Sequence, residues 1–259
     1  MDETAFVAAA FGGLPNAASP GAGALARRPS LKRGFGALVL AVAALGAAAP
    51  ACGNVEKDIP YAAPERCRLD VKWPAGKTNF PTVVWFHGGG LVKGGKHFVK
   101  IGDSIAQVAV NYRLLEKGVL SDGSVCIDDA AAAVAWTLDN IARYGGDAKR
   151  VYVSGMSAGG YLTMMVGMAP QYLKAHGHDI RELAGLAPIV SICGEEPWEW
   201  KCRSEENRLL IASCVALGHE KAWFVSCPYS DHGRVGMVGV PYVELFVNGR
   251  MPRRLVAAP

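Results

Sequence analysis

Between residues 68 and 247, short apolar runs alternate with stretches of helical period, and this alternation limits the chain to few architectures. Residues 82–86, Thr-Val-Val-Trp-Phe, are all β-branched or aromatic, which suits a strand buried on both faces. Residues 105–110, 150–154, 187–193 and 222–226 repeat that character, and residues 69–73 alternate apolar and polar with period two. Residues 127–144, 158–173 and 205–217 read as helices, with a terminal helix at 241–247. In the first of these, Asp128 and Asp129 stand near the expected start and Gly145-Gly146 at the stop. Strands separated by helices predict an α/β fold, a mostly parallel sheet with helices on both faces. The sequence has no internal repeat.

At 259 residues with 51% apolar and 19% charged side chains, the chain can bury a full core, which excludes wholesale disorder. Its net charge of +4 is scattered rather than clustered, so no nucleic-acid partner is expected. The N-terminal part differs in character. Arg27, Arg28, Lys32 and Arg33 precede the uncharged residues 35–49, and Ala49-Pro50-Ala51 follows. A positive segment, a short apolar segment and an A-x-A site compose a secretory signal, too short to span a bilayer. Residues 1–51 are therefore expected to be removed, leaving residues 52–259 secreted or periplasmic, with no membrane partner beyond that signal. Arg27-Arg28-Pro29-Ser30-Leu31-Lys32 also resembles a twin-arginine signal. Seven cysteines (Cys52, Cys67, Cys126, Cys193, Cys202, Cys214 and Cys227) leave at least one thiol free, and none has the spacing of a zinc site. Cys214 falls inside a helical pattern and reads as a small buried apolar group.

Two motifs carry chemistry. Gly155-Met156-Ser157-Ala158-Gly159 fits G-x-S-x-G, and His87-Gly88-Gly89-Gly90 follows the strand at 82–86. With 31 glycines in the chain, the first arises by chance roughly 0.17 times and the second roughly 0.01 times. Each stands at the C-terminal end of a predicted strand, where open α/β sheets place their sites. A serine hydroxyl is a weak nucleophile unless a tight turn exposes it and a base takes its proton. The helix beginning at Ala158 aims N–H groups at the place where negative charge develops, and the glycine loop brings further donors. The expected oxyanion donors are Gly89, Gly90 and Ala158.

Residues 80–91, with Val110-Asn111-Tyr112-Arg113-Leu114, Asp128-Asp129-Ala130, Trp136, Tyr144-Gly145-Gly146-Asp147 and the elbow at 155–161, resemble the α/β-hydrolase esterase/lipase family carrying an HGGG oxyanion loop. Within that family the chain is most similar to secreted carboxylesterases of the feruloyl and acetyl esterase kind. The resemblance implies hydrolysis of a small or carbohydrate-linked ester by a Ser-His-acid triad, with neither cofactor nor metal. It implies Ser157 as nucleophile and His232, in Ser230-Asp231-His232-Gly233, as base. It also places the acid after a glycine at a strand end, where Cys193-Gly194-Glu195 makes Glu195 the choice ahead of Glu196 and Asp231. His97, His176, His178 and His219 lack the context of the base, and His176-Gly177-His178 reads as a solvated loop rather than a metal site.

One departure stands out. Leu183-Ala184-Gly185-Leu186 runs almost directly into the strand expected to bear the acid, where the family usually inserts a further strand and a substrate-covering segment. Against the same resemblance the helix after the glycine loop looks shortened, around 96–104, and the chain reads as a shortened α/β-hydrolase, with the cap and one strand missing. The functional alternatives are an inactive homologue that at most binds ligands, or a peptidase or formamidase on the same fold.

Overall fold

The computed structural model describes residues 54–117, 121–189, 212, 213, 216, 217, 222 and 235–250. Its strands are β1 (Asn54–Pro60), β2 (Arg68–Trp73), β3 (Phe80–Phe86), β4 (Ala106–Val110), β5 (Gly146–Met156) and β6 (Gly185–Ile189). Its helices are α1 (Ser124–Asn140), α2 (Ala158–Met168), α3 (Pro170–Ala175) and α4 (Val235–Val247), with 3-10 turns at Ile141–Tyr144 and Ile180–Glu182. The strands form one sheet in the order β1-β2-β4-β3-β5-β6. β1 with β2 and β2 with β4 are antiparallel, and every other pairing is parallel.

β3 has neighbours on both sides, and all seven of its residues are buried, as its β-branched and aromatic composition predicts. Successive side chains of a strand point to opposite faces, so β3 divides its bulk between two cores. Val84 and Phe86 pack with Ala130, Val134 and Leu162 of α1 and α2 on one face. Val83 and Trp85 pack with Ile105, Ile189, Val240 and Val243 on the other, the last two from α4. Helices therefore cover both faces of a mostly parallel sheet, as the α/β expectation requires. No described helix is long and apolar enough to cross a membrane.

Several boundaries differ from the sequence expectation. α1 starts at Ser124, after the left-handed Gly123, so Asp128 and Asp129 sit a full turn inside it rather than at its positive end. The pattern at 158–173 is two helices, broken at Ala169 where φ is −117° and ψ 67°. The first strand beyond α3 spans Gly185–Ile189, two residues ahead of the expected start. α4 begins at Val235 and carries Pro241 inside it, where the sequence placed a helix start. No helix forms at 96–104, because the backbone there bonds outward. The Lys96 N–H donates to Asn111 Oδ1 (2.7 Å) and the Val99 N–H to Gln107 Oε1 (2.9 Å). The ammonium of Lys96 pairs with the buried Asp70 (2.6 Å) and with Asp58 (2.8 Å). β1, which the sequence did not announce, is a mostly exposed edge strand.

His176 and His178 stand in the surface loop after α3, as expected, and their rings are bonded there. His176 Nε2 meets Asp128 (2.9 Å), and His178, 15% exposed, bridges Glu182 (3.0 Å) and Asp139 (3.2 Å). Cys67 and Cys126 are free, buried thiols. The proposed signal at 1–51, the helix at 205–217 beyond a few residues, and Cys52, Cys193, Cys202, Cys214 and Cys227 lie outside the described residues. Of the expected strand at 222–226 only Ala222 is described, and it bridges in parallel to Leu186.

Candidate active site

β5 ends at Met156, α2 begins at Ala158, and the whole reversal falls on Ser157. Its backbone has φ 58° and ψ −118°, a region that side chains avoid and that costs on the order of 1–3 kcal/mol when held. What holds it is bonding on both sides. The Ser157 N–H donates to the Ile189 carbonyl at the end of β6 (3.3 Å), and its own carbonyl accepts from the Tyr161 N–H (2.9 Å). The next N–H, of Ala158, opens the first turn of α2, where helix N–H groups have no partner inside the helix.

Gly159 shows how closely this turn presses on β3. A Cβ there would collide with the carbonyl oxygen of Phe86 and stand 2.9 Å from that of His87. Only a glycine lets α2 begin against the base of the His87–Gly90 loop, which explains the second glycine of the elbow. The loop lies against the nucleophile in turn: a Cβ built at Gly88 would be 3.3 Å from the Cβ of Ser157. Gly89 adopts φ 116°, open to glycine alone, and its carbonyl accepts from Val92 (3.2 Å) and Lys93 (3.1 Å). Among the described residues no acceptor takes the N–H of Gly89 or Gly90.

His87 is buried under the loop rather than presented to a substrate. Its Nδ1 lies 2.6 Å from the Gly88 carbonyl, which can only accept, so Nδ1 carries the proton. Burial holds the imidazole below its ordinary pKa and keeps it neutral. Its Nε2 has no partner among the described residues.

The structure thus brings Ser157 and Ala158 against Gly88, the first glycine of the loop that carries Gly89 and Gly90. His232, Glu195, Glu196 and Asp231 lie outside the described residues. The strand leading toward Glu195 is β6, which pairs directly with the strand carrying the nucleophile. An open polar notch lined by Asp58, Glu65, Arg66, Arg68 and Asn111 includes none of the candidate site residues.

The sequence missed the buried bonding of the residues that follow β4. Arg113 and the buried Asp129 form a multiply bonded ion pair, and the hydroxyl of Tyr112 reaches the His87 carbonyl. Tyr112 and Arg113 stood in the sequence only as parts of the resemblance and Asp129 also as a helix-start residue, and no local pattern pairs them with their partners.

Residues 69–184 match the BD-FAE family, a span that contains both glycine motifs and ends before the candidate acid and base. Mouse carboxylesterase 1D is 33% identical over 171 residues, covering 54% of this chain and 30% of its own. Phenmedipham hydrolase of Pseudarthrobacter oxydans is 35% identical over 101 residues, covering 35% of this chain and 20% of its own. The chain thus spans a third or less of the length of these relatives. Among solved structures, a truncated carbohydrate esterase from gut microbiota superposes with a TM-score of 0.54 at 14% identity, over 78% of this chain and 98% of that one. A thermophilic esterase from Thermogutta terrifontis does so with a TM-score of 0.52 at 18% identity, over 79% and 95%. Likeness at that identity establishes the fold.

Proposed function

We propose that the chain, which resembles the BD-FAE family over residues 69–184 and carboxylesterases over a third or less of their length, is a serine carboxylic ester hydrolase acting on small acyl esters, free or carbohydrate-linked. The observation that carries this reading is the strained turn at Ser157, set directly against a glycine loop in which the N–H groups of Gly89 and Gly90 have no acceptor among the described residues. In this reading Ser157 Oγ attacks the acyl carbon and His232 takes its proton. Glu195 fixes the imidazole and stabilises its charged form. The oxygen that becomes negative is received by the N–H groups of Gly89, Gly90 and Ala158. The proton then passes from His232 to the departing alcohol, and water repeats the sequence on the acyl-serine. The same reading has the protein exported after cleavage behind Ala51.

A second reading, a homologue that binds esters without turning them over, draws on the sheet. β6 pairs directly with β5, so the strand expected to bear the acid lies closer to the nucleophile than the resemblance implies. Aryl-ester turnover by the purified protein, with Ser157→Ala as control, separates the two. The esterase reading expects Ser157→Ala to lose at least ~10⁴-fold in kcat while its melting temperature is kept. A folded Ser157→Ala protein that retains turnover refutes the mechanism.

A further inference from the structure

Each of three successive carbonyls in the glycine loop is held by a different donor. That of Gly89 accepts from the backbone of Val92 and Lys93, and that of Gly88 from His87 Nδ1. That of His87 accepts from the Tyr112 hydroxyl at 2.8 Å, across 25 residues of sequence. In a planar trans peptide, the C=O of one residue and the N–H of the next point in opposite directions. Holding these carbonyls therefore sets the directions of the N–H groups of Gly88, Gly89 and Gly90.

We propose that Tyr112 is a positioning residue for ester hydrolysis, which directs the oxyanion donors by holding the His87 peptide and the His87 ring. This rests on the assignment of Gly89 and Gly90 as oxyanion donors. Two of the three anchors are local, formed by residues of the loop itself, and would travel with it. Tyr112 is the anchor that ties the loop to the sheet, standing two residues beyond the end of β4. Its ring stacks on the imidazole of His87 at 4.3 Å and 14°, with its hydroxyl 3.3 Å from Nδ1. Tyr112 is fully buried and His87 nearly so, which leaves the imidazole no room to swing away from the Gly88 carbonyl. Tyr112 is braced in turn. Its carbonyl accepts from Arg66 Nε (2.8 Å), and Arg66 Nη2 donates to the Gly94 carbonyl (2.6 Å), so one guanidinium ties the Tyr112 backbone to the far end of the loop.

The effect is specific to the transition state. Ground-state esters place little charge on the carbonyl oxygen, whereas both acylation and deacylation pass through an oxyanion. A misdirected donor therefore lowers kcat and leaves KM in place. Tyr112→Phe keeps the ring, the stack and the burial, and removes only the donor to His87. In the full-length protein, with active sites counted by a fluorophosphonate, it should lower kcat by ~10- to 100-fold, less than outright loss of one oxyanion donor. KM should stay within about twofold. Affinity for a trifluoromethyl ketone, which forms a tetrahedral adduct on serine, should fall in step with kcat. Arg66→Gln loosens the same brace from the surface and should give a smaller loss of the same kind; it carries the test if Tyr112→Phe does not fold. Unchanged kcat per site and unchanged ketone affinity in the folded variant overturn the inference, as does a loss confined to melting temperature. Ser157→Ala is measured alongside. If the wild type turns over ester and Ser157→Ala does not, an unaffected Tyr112 variant defeats this inference alone. If the wild type has no turnover, or Ser157→Ala matches it, the esterase reading falls and takes this inference with it.

Discussion

The pair formed by Arg113 and Asp129 offers the sharpest stability test. The Asp129 carboxylate, 2% exposed, accepts from the Arg113 backbone N–H (2.7 Å), from Nε to both oxygens (3.0 Å each) and from Nη2 (2.6 Å). Arg113 is 37% exposed, so its own charge keeps access to water while that of Asp129 does not. Arg113→Met therefore leaves a buried carboxylate with one backbone donor from that residue. Breaking a buried pair from one side costs about 3–5 kcal/mol, most of it the uncompensated charge. For a domain of this size each kcal/mol moves the melting temperature by about 2–4 °C, so the expected drop is on the order of 6–20 °C. The physical cause predicts a rescue. Asp129→Asn in the Arg113→Met background removes the stranded charge and keeps an oxygen for the backbone N–H, and should recover half the loss or more. Arg113→Lys keeps the charge without the planar fork and should fall between wild type and Arg113→Met. Urea titration with m-values measures all four proteins. If the double variant is no more stable than Arg113→Met alone, the loss comes from packing of the arginine stem and not from the charge.

Two further outcomes follow from other parts of the molecule. Glu195→Gln should lower kcat by ~10³- to 10⁴-fold, with Glu196→Gln and Asp231→Asn costing far less, and a steady-state assay in which one of the latter collapses instead reassigns the acid. His178 loses some affinity for its proton through burial, but Glu182 and Asp139 outweigh this and raise its pKa. Its raised pKa makes its charged form a stabilising element that is present in full below the unfolded value of about 6.5 and fades as pH rises through the folded value. The melting temperature of wild type should exceed that of His178→Gln at pH 6 and converge with it by pH 9; a gap that widens with pH contradicts the bridging geometry.

What could be read from the sequence was what the backbone demands locally. The glycines at 88–90 and at 155 and 159 announce positive φ or close approach, and the structure uses them so at Gly89 and Gly159. The apolar run at 82–86 announces a central strand because both of its faces must be apolar, and the strand observed adds Phe80 and Pro81 ahead of it. What could not be read was bonding between distant residues. The resemblance implies a helix near 96–104, yet the backbone there bonds to Asn111 and Gln107 and its Lys96 to Asp70, none of which a local pattern can register. β1, Asn-Val-Glu-Lys-Asp-Ile-Pro, lacks a strand composition because an edge strand needs no buried face. Asp129 looked like a helix-start carboxylate, and only its distance to Arg113, sixteen residues back, shows its charge compensated inside the fold.

The register of the sheet explains why two motifs nearly seventy residues apart share a site. Phe86, the last residue of β3, pairs with Gly155, and Trp85 with Ser154, so the two strands end level with one another. On the other flank Met156 pairs with Ile189, whose carbonyl then takes the Ser157 N–H. Each chain that leaves these strands must turn at once, and Gly159 fits only because the Phe86 carbonyl is where this register puts it. A slip of one residue between β3 and β5 would displace the loop by about 3.3 Å and exchange the faces of Val83 and Val84, emptying both cores. The alignment of Ser157 with the glycine loop is therefore held by the burial of β3 and not by the loops. It should persist as long as the centre of the sheet does, since strands bonded on both sides are the last parts of such a fold to open.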